Sequence, residues 1–400
     1  MHCVKKVTED YYWVGADDHR QPLFENIHPV DKGVSYNSYL LVDEKTVLFD
    51  TVDWSVCRQF LENIEAVLKG RELDYLVVNH MEPDHGASIE EVILRYPNIK
   101  IISSQKAFQF MKQFGFQVEG KEEVVKDGEE RSFGKHTVRF IGAPMVHWPE
   151  VMVAYDVIEG ILFSADAFGV FGALNGKLFY DEFMCPKAYM DEFRRYYTNI
   201  VGKFGMQVSN LLKKVSQLDI RMICPLHGGV IRSQIGLFLD KYKAWSAYEP
   251  EEKGVLIVYA SMYGNTESAV KVLASRLQEE GITKIESYDV SGTHISYLIA
   301  EAFRYSHIVL ASPTYNNDMY PLMHNYLMDM KALNLQNRTI GIVENGTWGC
   351  MAGKQMRAIL ETMKNMVVLD EQVTLLSTVN EESDKQIRIL VERLQSEVLS

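Results

Sequence analysis

Cysteine is scarce and poorly spaced for pairing. The 400 residues hold five, at positions 3, 57, 185, 224 and 350, an odd number with no C-x-x-C pair. That spacing argues against a disulfide framework and against a rubredoxin-type iron site within this chain, and a reducing cytoplasm is the expected compartment. Long apolar runs are missing as well: no stretch approaches the roughly 18 residues of a membrane span. The opening segment, Met1-His-Cys-Val-Lys-Lys-Val-Thr-Glu-Asp10, has no apolar core and no small-residue cleavage site, so no secretory signal is expected. Positive charge is in deficit, 41 Lys and Arg against 54 Asp and Glu for a net −13, whereas nucleic-acid recognition wants a basic stripe. A soluble redox partner is compatible with this charge, although an acidic one would need a local basic patch. The signature G-x-x-x-x-G-K-[ST] is also absent, which disfavours a nucleoside triphosphate.

What remains is an ordinary soluble composition, 47% hydrophobic and 24% charged. A chain of this length suggests two domains. The composition changes around residues 246–254, a short polar stretch containing Pro250 and Gly254, so we expect domains at 1–250 and 254–400.

The first half carries His80-Met-Glu82-Pro-Asp84-His85, four metal-ligating side chains within six residues. They follow an apolar run at 75–79 that reads as a strand. His147, Asp166 and His227 each follow another short apolar run, at 140–142, 161–164 and 222–224. Ligands at strand ends can converge on one edge of a sheet, where a rigid scaffold holds them and loops give access. Such a set can hold two metals with one carboxylate shared. The pattern His-x-His-x-Asp-His with a distant His, Asp and His is that of the metallo-β-lactamase superfamily, but Glu82 replaces its second His. Four imidazoles and three carboxylates without a thiolate suit iron or manganese better than a structural zinc. The isolated His2, His19, His136, His294, His307 and His324 read as surface or satisfied core residues. Ser88 and Glu91 read as a capping box for a helix running toward Tyr96.

Beyond residue 254 strands and helices alternate. Strands are expected at 255–260, 307–311, 339–343 and 367–370, with helices at 267–280 and 384–397. This pattern implies a parallel sheet wound on both faces, with ligands outside the carboxyl ends of its strands. The first such loop, Ser261-Met262-Tyr263-Gly264-Asn265-Thr266, offers hydroxyls and backbone N–H groups at a helix start, where an anion is favoured. It has no lysine, which suits a phosphate monoester held by neutral donors. Two later loops, Pro313-Thr314-Tyr315-Asn316 and Asn345-Gly346-Thr347-Trp348-Gly349, bring aromatics able to sandwich a flat ring. A flavin is the expected cofactor.

Taken together, these motifs resemble the flavodiiron proteins, or A-type flavoproteins, over nearly the whole chain. The resemblance implies an α/β fold: an N-terminal metallo-β-lactamase-like αββα sandwich followed by a flavodoxin-like doubly wound parallel sheet that binds FMN. It implies a non-haem diiron site reducing O2 to water, NO to N2O, or both. His80, Glu82 and His147 would hold one iron, Asp84, His85 and His227 the other, and Asp166 would bridge. His28 falls in a region from which some members place a His near the iron pocket. The chain looks like the minimal two-domain form, served by a separate rubredoxin or another electron donor, and paired head-to-tail as a homodimer or a dimer of dimers. Tyr196 or Tyr197 is a candidate proton source. Two other readings compete: a metallohydrolase fused to a flavodoxin, which would hold zinc, and an electron carrier whose first domain is only structural.

Overall fold

The computed structural model describes residues 2–399 and divides into two compact units, Met1–Lys243 and Ala244–Ser400. In the first unit one sheet has the order Lys5–Lys6, Tyr11–Trp13, Tyr39–Val42, Thr46–Phe49, Tyr75–Val77, Lys100–Ser103, Glu122–Val124. Its neighbours run antiparallel up to Thr46–Phe49 and parallel from there on. The second sheet follows chain order: Glu130–Ser132, Thr137–Gly142, Met152–Asp156, Ile161–Phe163 and Met222–Cys224, with only the last pair parallel.

Residues two apart on a strand share a face. Leu41, Val47, Phe49, Val77 and Ile102 of the first sheet enter one buried cluster with Val138, Phe140, Ala154, Phe163 and Cys224 of the second. Phe49 and Phe163 stack across it, with centroids 4.1 Å apart. The intervening Leu40, Leu48, Leu76 and Ile101 are equally buried, so the outer face of the first sheet is covered too. Helices Cys57–Leu68, Ile89–Arg95 and Gln105–Gln113 supply apolar faces through Phe60 and Ile64, Ile89 and Val92, and Phe108 and Met111. This is the expected αββα sandwich. The registers Phe49↔Val77 and Phe163↔Cys224 align strand ends within each sheet, and the loops beyond them carry Asp50, His80, Asp166 and His227.

One local expectation fails. Ser88 precedes helix Ile89–Arg95 but makes no side-chain cap. Its hydroxyl is buried and donates to the Val52 carbonyl at 2.8 Å, so the capping box does not form.

In the second unit five parallel strands take the order Ile285–Asp289, Glu252–Tyr259, Tyr305–Tyr315, Arg338–Asn345, Met366–Leu375, the 2-1-3-4-5 arrangement of flavodoxin-like folds. Asp318–Met319 adds a short antiparallel pairing to the third strand. Helices Asn265–Glu279 and Glu381–Val398 match the expected ones closely. The edge strand Ile285–Asp289 has no counterpart in the sequence reading, because Glu286 and Ser287 at its centre are exposed and leave no apolar run. The seam lies a few residues before the expected 246–254. Trp245 Nε1 donates to Glu251 (2.9 Å), and Arg338 Nη1 donates to the Tyr248 carbonyl (2.7 Å), so both aromatics belong to the second unit. No helix among the described residues is long and apolar enough to cross a membrane.

Candidate metal centre and cofactor cleft

Two buried carboxylates fix the turn after strand Tyr75–Val77. Asp50 Oδ1 accepts from the backbone N–H groups of Asn79 (2.7 Å) and His80 (3.1 Å), and Oδ2 accepts from Asn79 Nδ2 at 2.7 Å. Glu150 Oε1 accepts from Met81 N (2.9 Å) and from His80 Nδ1 (2.8 Å). Pro83 then opens the single helical turn Pro83–Gly86, where its fixed φ suits the first position. The turn carries Asp84 and a fully buried His85. Met145, Ala165 and Phe168, beside His147 and Asp166, hold positive φ angles of 64°, 52° and 68°. Such conformations cost on the order of 1–3 kcal/mol each and persist where surrounding contacts over-determine them. Leu226 N donates to the Ala165 carbonyl at 3.0 Å, and Phe168 N donates to the Tyr242 hydroxyl at 2.5 Å.

The structure gathers all seven expected ligands. They form two groups: His80, Glu82, His147 and Asp166, and Asp84, His85 and His227. Asp166 reaches both. Its Oδ2 lies 3.2 Å from His80 Nε2 and 3.1 Å from His147 Nε2, while Oδ1 lies 3.3 Å from His85 Nε2 and 3.6 Å from His227 Nε2. Glu82 Oε2 is 3.2 Å from His80 Nε2 and 2.9 Å from His147 Nε2. Asp84 Oδ2 is 3.3 Å from His85 Nε2 and 3.2 Å from His227 Nε2. His227 Nδ1 meets the Ser35 carbonyl, an acceptor only, at 2.8 Å, so Nδ1 carries a proton and Nε2 is the ring nitrogen that faces the other ligands.

This donor set fits a pair of cations. Asp84 Oδ1 and Oδ2 and Asp166 Oδ1 are buried with no hydrogen-bond partner among the described residues, an expensive state for carboxylate oxygens unless a cation lies between them. Without metal, protons take that place. Burial pushes the carboxyls up, but the imidazoles outweigh it: Glu82 is held at about 2, mainly by His147 and His80, and Asp84 and Asp166 are also lowered. Conversely, burial lowers the imidazoles but the carboxylates prevail. His85 stands at about 10, chiefly through Asp84, and His147 at about 9, through Asp166 and Glu82.

Around the ligands lies an aromatic wall. Phe24, Tyr36 and Tyr196 have ring centroids 5.1, 5.6 and 5.6 Å from that of His227, and Trp148 lies 5.5 Å from His80. Tyr196, not Tyr197, faces the site. Its hydroxyl is buried with no hydrogen-bond partner among the described residues, and burial together with Asp166 pushes its pKa well up. Tyr197 instead packs on Tyr242, with centroids 4.8 Å apart. Gly169 permits this arrangement, since a Cβ there would fall 2.6 Å from the Tyr196 ring. His28 is buried on the short strand His28–Pro29, 5.8 Å from Phe171 and 3.8 Å from the Glu25 carboxylate. Glu25 is pushed up to about 8 by burial and by Glu82.

The sequence reading missed Asp50, Glu150 and Glu25. Glu150 had a visible signal, a carboxylate directly after His147-Trp148-Pro149. A third group, Asp10, His136 and Glu159, already has its cations. Lys135 lies 2.6 Å from Asp10, and the His136 ring sits 2.6 Å from Asp156 and 3.1 Å from Asp10.

In the second unit a cavity of about 420 Å³ opens at the carboxyl ends of the strands, within the size range of cofactor pockets. Ser261, Met262, Tyr263, Asn265, Thr266, Pro313, Thr314, Asn316, Asn345, Gly346, Thr347, Trp348 and Gly349 line it, as expected. Asn317 and Ser377 line it too and were not expected. Gly264 does not line it; with φ 91° it caps helix Asn265–Glu279. Tyr315 faces an adjoining depression beside Tyr263 and Tyr320. Ser261 Oγ accepts from Gly264 N (3.1 Å) and Glu267 N (3.3 Å), and Asn345 Nδ2 donates to Thr266 Oγ1 (3.2 Å), which tightens the cradle. Trp348 and Tyr263 stand 93% and 91% exposed at its rim, open to contact with a flat ligand.

Known proteins resemble this arrangement. A family model described as "ODP family beta lactamase" matches residues 34–228. The chain is 30% identical to a nitric oxide reductase of Moorella thermoacetica, over 90% of each chain. It is 31% identical to a rubredoxin-oxygen oxidoreductase of Megalodesulfovibrio gigas, over 90% of this chain and 89% of the other. The crystal structure of the flavodiiron protein from Giardia intestinalis superposes with a TM-score of 0.93 at 27% identity, covering 99% of this chain and 97% of that one.

Proposed function

This chain belongs to the flavodiiron family, and from that premise we propose that it is an oxidoreductase that reduces O2 to water, NO to N2O, or both, at a non-haem diiron site fed through FMN. The observation that carries the reading is the division of Asp166 between the two ligand groups, one oxygen toward each. In this reading His80, Glu82 and His147 would hold one iron, Asp84, His85 and His227 the other, and Asp166 would be shared between them. When bound, two ferrous ions and a reduced flavin supply four electrons, the number that converts O2 to two waters, and NO coupling needs only two.

The chain's own residues do the rest. Asp166 offsets the repulsion between the ions, and the buried imidazoles and carboxylates hold their ligand atoms in place with little freedom to rearrange. Phe24, Tyr36 and Trp148 exclude water, while the Tyr196 hydroxyl keeps its proton and is available to donate it toward the substrate. In the second unit the Ser261–Thr266 turn would hold the FMN phosphate at a helix N-terminus, and Trp348 at the rim would contact the ring. The electron donor is a rubredoxin-type protein, as the name of the Megalodesulfovibrio gigas relative suggests, and the active form is a head-to-tail homodimer. The hydrolase reading is not favoured, because Glu82 stands where a zinc hydrolase has a histidine and because a flavin cleft has no use in hydrolysis. Elemental analysis and flavin extraction test the assignment: about two iron and one FMN per chain are expected, and zinc without iron in protein made with ample iron would overturn it.

A further inference from the structure

The two metal positions are built from like donors but backed unequally. His80 Nδ1 gives its proton to the Glu150 carboxylate at 2.8 Å, and both side chains have 0% exposure. On the other side His227 Nδ1 gives its proton to a neutral acceptor, the Ser35 carbonyl, at 2.8 Å. His85 Nδ1 is buried and has no hydrogen-bond partner among the described residues. An imidazole whose far N–H is held by a carboxylate is a stronger donor than one backed by a carbonyl, and stronger again than one backed by nothing. The carboxylates do not restore the balance, since each group has one of its own, Glu82 or Asp84, and shares Asp166.

Building on the diiron reading, we propose that Glu150 is a positioning residue that makes the two positions unequal, so that the ion held by His80, Glu82 and His147 is bound more tightly than the ion held by Asp84, His85 and His227. The second ion is therefore the first to leave and the readier to change its coordination. Glu150 reaches His80 from the loop after His147, and the same oxygen accepts from Met81 N at 2.9 Å. It thus ties two ligand-bearing loops of one position together. Its second oxygen, Oε2, is buried without a hydrogen-bond partner among the described residues, so Oε1 alone makes the bonds to His80 and Met81.

Glu150→Gln isolates the charge, since the amide oxygen can still accept from both donors while the shape is kept. The experiment is anaerobic removal of Fe2+ from the full-length iron-loaded protein by a graded chelator, with Mössbauer spectra of the remaining iron. Wild type should lose iron in two resolved steps, the first depleting one spectral component. In Glu150→Gln the tighter step should weaken about 10–100-fold, the usual effect of losing such a partner, while the weaker step stays within about twofold and only one component shifts. Wild type releasing both ions in one step, both steps moving together in the variant, or neither moving would overturn the proposal. A wild-type protein that takes up fewer than two Fe2+ per chain would instead overturn the diiron reading on which it rests.

Discussion

The Nε2 atoms of His85 and His227 face each other at 2.9 Å. His85 Nε2 also lies 3.3 Å from Asp84 Oδ2 and 3.3 Å from Asp166 Oδ1, carboxylate oxygens that accept, so in the metal-free chain His85 presents an N–H. Metal has to displace that proton before His85 can bind. Loading the apoprotein with Fe2+ in weakly buffered solution should therefore release at least one proton per metal pair, and affinity should fall as pH is lowered. Uptake without proton release, followed in a pH-stat, would show that His85 is not a ligand.

Asp166 is the residue whose loss should cost most, because it alone reaches both groups. Asp166→Ala is expected to lose both ions, whereas a terminal-ligand variant such as His147→Ala loses chiefly one. FMN content should stay near normal, since the flavin cleft is built from the second unit. Retention of two iron atoms per chain in Asp166→Ala would refute the bridging role.

Tyr196→Phe removes only a hydroxyl from the aromatic wall. If that hydroxyl supplies protons, turnover should fall by at least about a hundredfold, the lower end of what general acids contribute, with iron and FMN content unchanged. Tyr197→Phe should leave turnover within about twofold. Equal effects from the two substitutions would contradict the assignment.

The sequence made the ligand set legible because metal chemistry needs particular side chains, and those sit in a recognisable order beside apolar runs. It did not distinguish Tyr196 from its neighbour, since the direction of each ring is set by the phase of the helix Pro186–Tyr196 as it passes into the turn Tyr197–Val201. Glu150 acts on His80 across 70 positions, a pairing that appears only once the two loops are folded together. The edge strand Ile285–Asp289 was hidden because its five residues neither alternate apolar with polar nor form an apolar run. Ser377 lacked any local mark, as it is held at the cleft by bonds to Asn345 and Thr347, far away in sequence.

Trp348→Ala tests the flavin cleft. Stacking of an aromatic side chain on a base contributes about 1–3 kcal/mol, and by analogy FMN affinity should fall roughly tenfold to a hundredfold. Equilibrium dialysis showing unchanged affinity, with unchanged flavin potentials, would return Trp348 to a role in packing or partner contact.

His136 links the two sheets of the first unit. It meets Asp156 at 2.6 Å, Asp10 at 3.1 Å and Glu159 at 4.0 Å, while Lys135 neutralises Asp10, Tyr11 donates to Asp156, and Asp43 accepts from the His136 backbone N–H. Burial lowers its pKa, but Asp156 and Asp10 overcome that and raise it to about 9. A folded-state pKa above the unfolded value of about 6.5 means the stabilisation is complete below that value and is lost as pH rises through about 9. Thermal melts should therefore show Tm falling across this window, by about 2–4 °C for each kcal/mol lost. His136→Gln should have a lower Tm with a flatter pH profile. A wild-type Tm independent of pH across the window would contradict the doubly bonded imidazolium.

The most direct test of the whole account is gas consumption by anaerobically reduced protein carrying both iron and FMN, with O2 and NO assayed in parallel. Each fully reduced chain should remove about one O2 without releasing peroxide, or couple NO to N2O, and chains lacking iron should do neither. Fully loaded, reduced protein that consumes neither gas, or that turns O2 into peroxide at the flavin alone, would contradict it.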